Sequence, residues 1–276
     1  MAAAVDASER IATAVDASES MAAAVDASER MAAAVDASER MADASERMAA
    51  ADDASERTAA ADAESLELWV EALYPHGEMS REWRNLVAYK SRAELEDLPD
   101  LIDDADLLFG EFQLAHFFGV VDEAAALIDE PLAKVVDLGS GCGRLVLALA
   151  KRRPDLGVAG LEYQPRLHDV GAAALARAGL ANAELHCGDL HDAAATRRAC
   201  AGAGVVFCYS TALFCEGDED VASRLSDALK VLAPGTVVVT TDRRLRKADF
   251  ELVAARKELP GSIAGATVDV YFSKRR

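Results

Sequence analysis

The chain has 276 residues and a formal net charge of −19, and 51% of its residues are hydrophobic. This length and apolar content suffice for a sizeable core, while the acidic charge disfavours unaided binding to DNA phosphates. No apolar run approaches the length of a membrane span, and no cationic segment precedes an apolar one at the start of the chain. We therefore expect an intracellular protein without a membrane anchor or signal peptide.

Residues 1–65 contain a repeat, MAAAVDASER, that recurs with a period of ten residues. Ten helical residues end about 80° short of three full turns, so the Met and Val positions drift around the helix and form no lasting apolar face. Fifteen acidic residues and five arginines give this segment a net charge of −10, which leaves −9 for the other 211 residues. We expect residues 1–65 to be disordered or a single helix. An interaction spacer is possible, but we favour a repeat expansion without a selected role.

Residues 66–276 are expected to form the folded domain, with N-terminal helices and a loop in residues 66–130 and the core in residues 131–276. Aromatic residues at helical spacing predict two short helices separated near Pro75 and Gly77. We expect their aromatic side chains to pack in the core rather than contact a ligand.

The stretch KVVDLGSGCGRLVLALA, residues 134–150, predicts a buried strand, a tight turn and an apolar helix. Gly139, Gly141 and Gly143 allow a sharp turn and a close approach of a ligand at the positive end of the helix. Their G-x-G-x-G spacing differs from that of dinucleotide-binding domains. Asp137 in front of them would repel a pyrophosphate and attract the ammonium of an amino acid. This combination favours S-adenosylmethionine over NAD as the cofactor.

Two further acids follow the next two predicted strands. Glu162 ends GVAGLE, where a carboxylate can accept hydrogen bonds from ribose hydroxyls. Asp189 follows AELHC and Gly188, a position for an acceptor that faces an adenine amino group, and Leu190 comes directly after it. Taken singly, these acids could be helix caps, solvated strand ends or turn residues. Together with the glycine loop, they favour cofactor binding.

The remaining pattern alternates helices and strands and ends in two strands separated by PGSIAG. It predicts an α/β fold with a parallel sheet and right-handed crossovers, whose ligand site lies beyond the carboxyl ends of the strands. The five cysteines and five histidines show no metal-ligand spacing. We therefore expect reduced thiols and no protein-bound metal.

These motifs resemble those of class I S-adenosylmethionine-dependent methyltransferases. They resemble most closely the non-SET histone lysine methyltransferases of the disruptor-of-telomeric-silencing type and their small relatives. The segments that carry the likeness are LLFGEF at 107–112, VVDLGSGCG, GLE, CGD and VVFCYSTALF at 205–214. The resemblance implies a Rossmann-like, seven-stranded, mostly parallel sheet with helices on both faces and a terminal antiparallel hairpin. It also implies that a loop around Phe109, Gly110 and Glu111 covers the methionine end of the cofactor.

The resemblance further implies an acceptor channel lined by Tyr209, Ser210, Thr211 and Phe214, although histone-type members have a pair of asparagines where this chain has residues 209–211. The expected activity is methyl transfer to a protein lysine, with a histone or another basic protein as partner and a nuclear location. The alternatives are a small-molecule or non-histone methyltransferase in the cytoplasm and a cofactor-binding module without catalysis. The residues expected to bind the cofactor are Phe109, Glu111, Asp137, Gly139, Gly141, Gly143, Glu162, Asp189 and Leu190.

Overall fold

The structure is a computed structural model that describes residues 61–77, 80–95, 109–211, 213, 221–260 and 266–276. The predicted acceptor residue Phe214 and the repeat up to residue 60 lie outside these described residues. Residues 61–71 are helical (α1), and α2 spans Ser80–Leu95, so two helices flank the predicted break. Ala63 in α1 is buried. The helix therefore includes residues 61–65, which the sequence pattern assigned to the repeat segment, and Ala63 packs in the core.

A single sheet of seven strands forms the centre of the domain, in the order β3-β2-β1-β4-β5-β7-β6. The first five strands run parallel, and β7 runs antiparallel to both β5 and β6. This arrangement confirms the predicted mostly parallel sheet with a terminal antiparallel hairpin. The strands are β1 Lys134–Leu138, β2 Gly157–Glu162, β3 Ala183–Cys187, β4 Val205–Cys208, β5 Val237–Thr241, β6 Phe250–Pro260 and β7 Thr267–Arg275.

Helices cover both faces of the sheet, as predicted. Alternate residues of each strand point to opposite faces, so Val135 belongs to one core cluster and Val136 to the other. The first cluster also contains residues of α1 to α5, and the second contains residues of α6 and α7. The helices are α3 Leu114–Ala126, α4 Arg144–Arg152, α5 Pro165–Ala178, α6 Ala193–Ala199 and α7 Ser223–Ala228.

The strand order of the sheet changes direction at β1, and this change creates a cleft. Strand β1 lies between β2 and β4, so the chain leaves it in one direction along the sheet and returns on its other side. In open α/β sheets, ligands bind beyond the carboxyl ends of the strands at such a switch point. Here the loop after β1 leads directly into α4, whose residues from Arg144 to Ala150 are all buried. Among the described helices, none combines the length and apolar composition needed to cross a membrane.

Candidate active site

The loop between β1 and α4 depends on its three glycines. Gly139, Gly141 and Gly143 have φ angles of 79°, 55° and 77°, in the left-handed region that disfavours other residues. A Cβ at Gly141 would lie 2.8 Å from Cε2 of Phe109, and one at Gly143 would lie 2.9 Å from Leu185. The N–H of Gly139 donates to the Leu161 carbonyl of β2 at 2.8 Å. The loop therefore needs glycine both for its turn and for the close approach of Phe109.

Asp137 places a buried carboxyl group at this loop. Only 3% of the residue is exposed, and it lines the cleft. Within the described part of the chain, no hydrogen bond or ion pair reaches its carboxylate. Burial, reinforced by the nearby negative charge of Glu162, raises the pKa of Asp137 to about 8. A cation that enters the cleft would stabilise the ionised form of this carboxyl group.

Glu162 occupies the end of β2 and contacts the glycine loop directly. Its Oε2 accepts a hydrogen bond from the Gly141 N–H at 2.7 Å, and its Oε1 accepts one from Gln164 N–H at 2.8 Å. Burial raises the pKa of Glu162, although these backbone donors oppose the shift. The sequence predicts this residue as a ribose acceptor. In the structure it also braces the loop, and each carboxylate oxygen keeps acceptor capacity for a ligand.

The cleft has two halves that meet beneath the ring of Phe109. The charged half includes Asp137, Arg144 and Glu111 and holds a cavity of about 30 Å³. The second half is mostly apolar and holds a cavity of about 90 Å³. Its lining includes Glu162, Tyr163, Leu167, Leu190 and Leu213. Both halves share Phe109, Gly110, Gly139, Gly141 and Tyr209.

Asp189 lies in a turn after β3, near Tyr163 of the cleft lining. Its Oδ1 accepts a hydrogen bond from the His191 N–H at 2.7 Å, which is the geometry of a turn residue. It does not line either described half of the cleft, whereas Leu190 lines the apolar half. Asp189 is therefore a turn residue, and its predicted role as an acceptor for the adenine amino group stays a prediction.

The segment after β4 brings only one of its predicted acceptor residues to the cleft within the described part. Tyr209 lines both halves, and its ring centroid lies 5.4 Å from that of Phe112. Ser210 is fully buried, donates to the Thr241 carbonyl at 2.8 Å and accepts from the Thr241 N–H at 3.0 Å. Thr211 Oγ1 lies 3.0 Å from Thr241 Oγ1. As a correction to the predicted channel, the Ser210 and Thr211 hydroxyls join the ends of β4 and β5.

A chain of alternating charges beside the cleft was not predicted. Glu71 lies 2.7 Å from Arg84, Arg84 lies 2.6 Å from Glu111, and Glu71 is 3.7 Å from Arg144. Arg144 also binds Glu67, with Nε to Oε1 at 3.0 Å. A sequence signal did exist, because Glu67 and Glu71 are four residues apart and so share one helix face. Nothing local indicated their partners.

The N-terminal helices also contact the glycine loop through Tyr74. Its hydroxyl donates to the Cys142 carbonyl at 2.8 Å, and burial raises the pKa of this phenol. The expectation that the aromatic residues of this segment pack was correct for Tyr74, which is 4% exposed, but it omitted this hydrogen bond. Burial also raises the pKa of the Cys142 thiol well above its ordinary value. That thiol is therefore protonated and unreactive at neutral pH.

Three solved structures that resemble the chain are distant from it in sequence. An RNA methyltransferase from Salinibacter ruber in complex with S-adenosyl-L-homocysteine is 25% identical, with 57% of this chain and 90% of that chain covered and a TM-score of 0.39. The mitomycin 7-O-methyltransferase MmcR is 20% identical, with 59% and 56% covered and a TM-score of 0.39. A variant of MtNAS in complex with S-adenosylmethionine is 11% identical, with 69% and 72% covered and a TM-score of 0.43. At these TM-scores the likenesses support no conclusion about substrate.

A family comparison is more informative than these structures. No curated protein matches the chain, but residues 135–235 match the family model described as "Methyltransferase domain". The matched segment runs from β1 to the turn before β5 and includes the glycine loop, Asp137 and Glu162. The sheet order alone would fit several kinds of nucleotide-binding protein. The family match, which covers less than half of the chain, makes this part of it similar to a methyltransferase domain.

Proposed function

We propose that the protein transfers the methyl group of S-adenosylmethionine to an amine, and that the leading acceptor is a lysine side chain of a basic protein such as a histone. One observation carries the cofactor part of this proposal. Asp137 is a buried carboxyl group with no partner among the described residues, and it lines the cleft beside the glycine loop. An amino-acid ammonium is the cation that would satisfy it.

The residues of the cleft fit the two ends of this cofactor. The charged half carries Asp137, which matches the ammonium of an amino-acid group, while Arg144, which also lines it, is already bound by Glu67. The apolar half carries Leu167 and Leu190, which suit a nucleoside base, and Glu162 lies there as an acceptor for ribose hydroxyls. When bound, the cofactor supplies a methyl group that its sulfonium has already activated.

The protein then has to align the acceptor and exclude water. Phe109 and Tyr209 line both halves of the cleft, so their rings flank the junction between the amino-acid and nucleoside ends. Holding two reactants in line contributes several kcal/mol to a transfer reaction, on the order of 7–11 at best. An apolar approach beside these rings would also lower the pKa of a lysine amine, which must be neutral to attack.

The charge of the domain supports a basic acceptor. Residues 66–276 carry a net charge of −9, which attracts cationic substrates and disfavours direct binding to DNA. A separate observation favours the alternative, a small-molecule acceptor. The hydroxyls of Ser210 and Thr211 bond to Thr241. The described part of this segment thus offers few side-chain groups to hold a peptide backbone.

Methyl transfer from labelled S-adenosylmethionine would decide between these acceptors. The full chain would be incubated with nucleosomes, with free histones and with a metabolite extract, and Asp137→Asn would serve as the inactive control. Label on lysines of free histones or nucleosomes supports the proposal. Label confined to the small-molecule fraction supports the alternative. If the protein binds the cofactor but labels nothing, the domain is a binding module without catalysis.

A further inference from the structure

Arg84 is a fully buried cation held between two carboxylates. Its Nη1 and Nη2 donate to the two oxygens of Glu71 at 2.8 and 2.7 Å, and its Nε and Nη2 donate to the two oxygens of Glu111 at 2.6 and 3.0 Å. Such paired contacts fix both distance and orientation. The geometry therefore ties α2 to two other segments of the chain.

Those segments both reach the glycine loop. Glu111 belongs to the stretch that carries Phe109, whose ring covers Gly141. Glu71 is the last helical residue of α1, and Tyr74 follows it closely in the chain. The Tyr74 ring lies 4.6 Å from Cζ of Arg84, and its hydroxyl donates to the Cys142 carbonyl. Arg84 is thus connected to the glycine loop from two sides.

The ring of Phe109 lines both cavities of the cleft, which measure about 30 and 90 Å³. It also lies against the glycine loop, because a Cβ at Gly141 would be 2.8 Å from its Cε2. A ligand that spans both cavities would therefore contact this ring, and its release would depend on how firmly the ring is held. The carboxylate of Glu111, two residues after Phe109, is held by Arg84 at 2.6 Å.

We propose that Arg84 is a positioning residue for methyl transfer, which holds Glu111 and thereby keeps Phe109 closed over the cofactor. This inference rests on the proposed function. It also assigns Glu111 a different role, in which its carboxylate binds Arg84 through both oxygens and fixes the loop. Glu111 acts on the cofactor through the loop. The N-terminal helices are then part of the machinery that retains the cofactor and excludes water.

A purely structural role for Arg84 makes a different prediction. Losing one member of a buried ion pair destabilises a fold, so such a role would lower the melting temperature of variants. A purely structural role would not change the rate at which the cofactor dissociates from the folded protein. Dissociation rate is therefore the property that separates a positioning residue from a structural one.

The test measures S-adenosylhomocysteine dissociation by stopped-flow chase in Arg84→Lys, Glu111→Gln and the double variant. Arg152→Lys is the matched control, because Arg152 also stacks at 4.6 Å on an aromatic ring, that of Phe118, and pairs with Asp122 away from the cleft. We expect each single variant to release the ligand about ten-fold faster, which is the loss of one charge-assisted hydrogen bond. The double variant should be no faster than Arg84→Lys alone, because Arg84→Lys already disrupts the contact through which Glu111→Gln acts.

Several results would overturn the inference. Single variants that release the ligand at the wild-type rate refute it, as does a double variant whose acceleration is the product of the two. A fast Glu111→Gln with an unchanged Arg84→Lys means that Glu111 contacts the cofactor itself. If Arg84→Lys does not fold, Glu111→Gln still tests the loop, because it keeps the pair between Arg84 and Glu71. A wild-type protein that binds no S-adenosylhomocysteine overturns the proposed function together with this inference.

Discussion

Replacing Asp137 by asparagine should stabilise the protein and weaken its response to the cofactor. The variant keeps the size of the side chain and removes the charge that burial disfavours. The pKa of Asp137 rises from an ordinary 3.8 to about 8 in the folded protein. The folded state therefore binds a proton more tightly than the unfolded state throughout this pH range. The contribution of this proton to the unfolding free energy is fully present below the pKa of the unfolded state. It is lost as the pH rises towards 8, the pKa in the folded state.

The size of the effect follows from this range. Each pH unit within it costs the wild type about 1.4 kcal/mol of unfolding free energy. Between pH 6 and pH 8 the asparagine variant, which does not titrate, should gain on the order of 2–3 kcal/mol over the wild type. For a domain of this size that corresponds to roughly 5–10 °C in melting temperature. Above pH 8 the difference should stop growing, because Asp137 is then ionised in both states.

Thermal melting from pH 6 to pH 9, with and without S-adenosylhomocysteine, would measure both effects. Asp129→Asn is the control, since that carboxylate is exposed and pairs with Lys274 on the surface at 2.8 Å. The ligand should raise the melting temperature of the wild type and of the control more than that of Asp137→Asn. If the difference in melting temperature between Asp137→Asn and the wild type does not change with pH, Asp137 does not bind a proton in the folded protein at these pH values. If the ligand raises the melting temperature of Asp137→Asn as much as that of the wild type, the Asp137 carboxylate does not contact the ammonium of the cofactor.

Four further outcomes are expected. Calorimetry in buffers of different ionisation enthalpy should show that cofactor binding at pH 7 releases about one proton, and that Asp137→Asn releases none. Ser210→Ala should lower the unfolding free energy by about 1–3 kcal/mol in denaturant titrations and leave cofactor affinity unchanged, since its hydroxyl serves Thr241. Tyr209→Ala should slow single-turnover transfer by about ten-fold or more while cofactor titration changes little. Deleting residues 1–60 should change neither the melting temperature nor the cofactor affinity, because the repeat has no lasting apolar face.

The sequence predicts the fold and the strand ends well because both depend on local patterns. Short apolar runs such as residues 134–138, bounded by turn residues, favour strands of a covered parallel sheet. Three glycines in G-x-G-x-G spacing after them predict the turn, and the structure gives all three a positive φ. The sequence also predicts that Asp137 lies at the cleft, because a residue near the carboxyl end of a parallel strand lies beside the ligand site of such a sheet. In the structure Asp137 lines the cleft.

Side-chain direction and long-range pairing are where the sequence fails. Ser210 comes directly after β4, but whether its hydroxyl turns to the cleft or to Thr241 depends on the neighbouring strand β5. Asp189 likewise turns to His191 N–H. Arg84 and Glu111 are 27 residues apart, and no periodic pattern links residues in different elements. Such contacts follow from the packing of whole segments, which spacing alone does not specify.

Calorimetric titration with S-adenosylmethionine and with NAD tests the central claim most directly. The claim is that a buried, unpaired carboxyl at the glycine loop selects an amino-acid ammonium and rejects a pyrophosphate. S-Adenosylmethionine should bind the wild type with saturation at one site, NAD should not bind, and Asp137→Ala should weaken the binding by about 1–3 kcal/mol. Tight binding of NAD, or an unchanged affinity for S-adenosylmethionine in Asp137→Ala, would contradict the account.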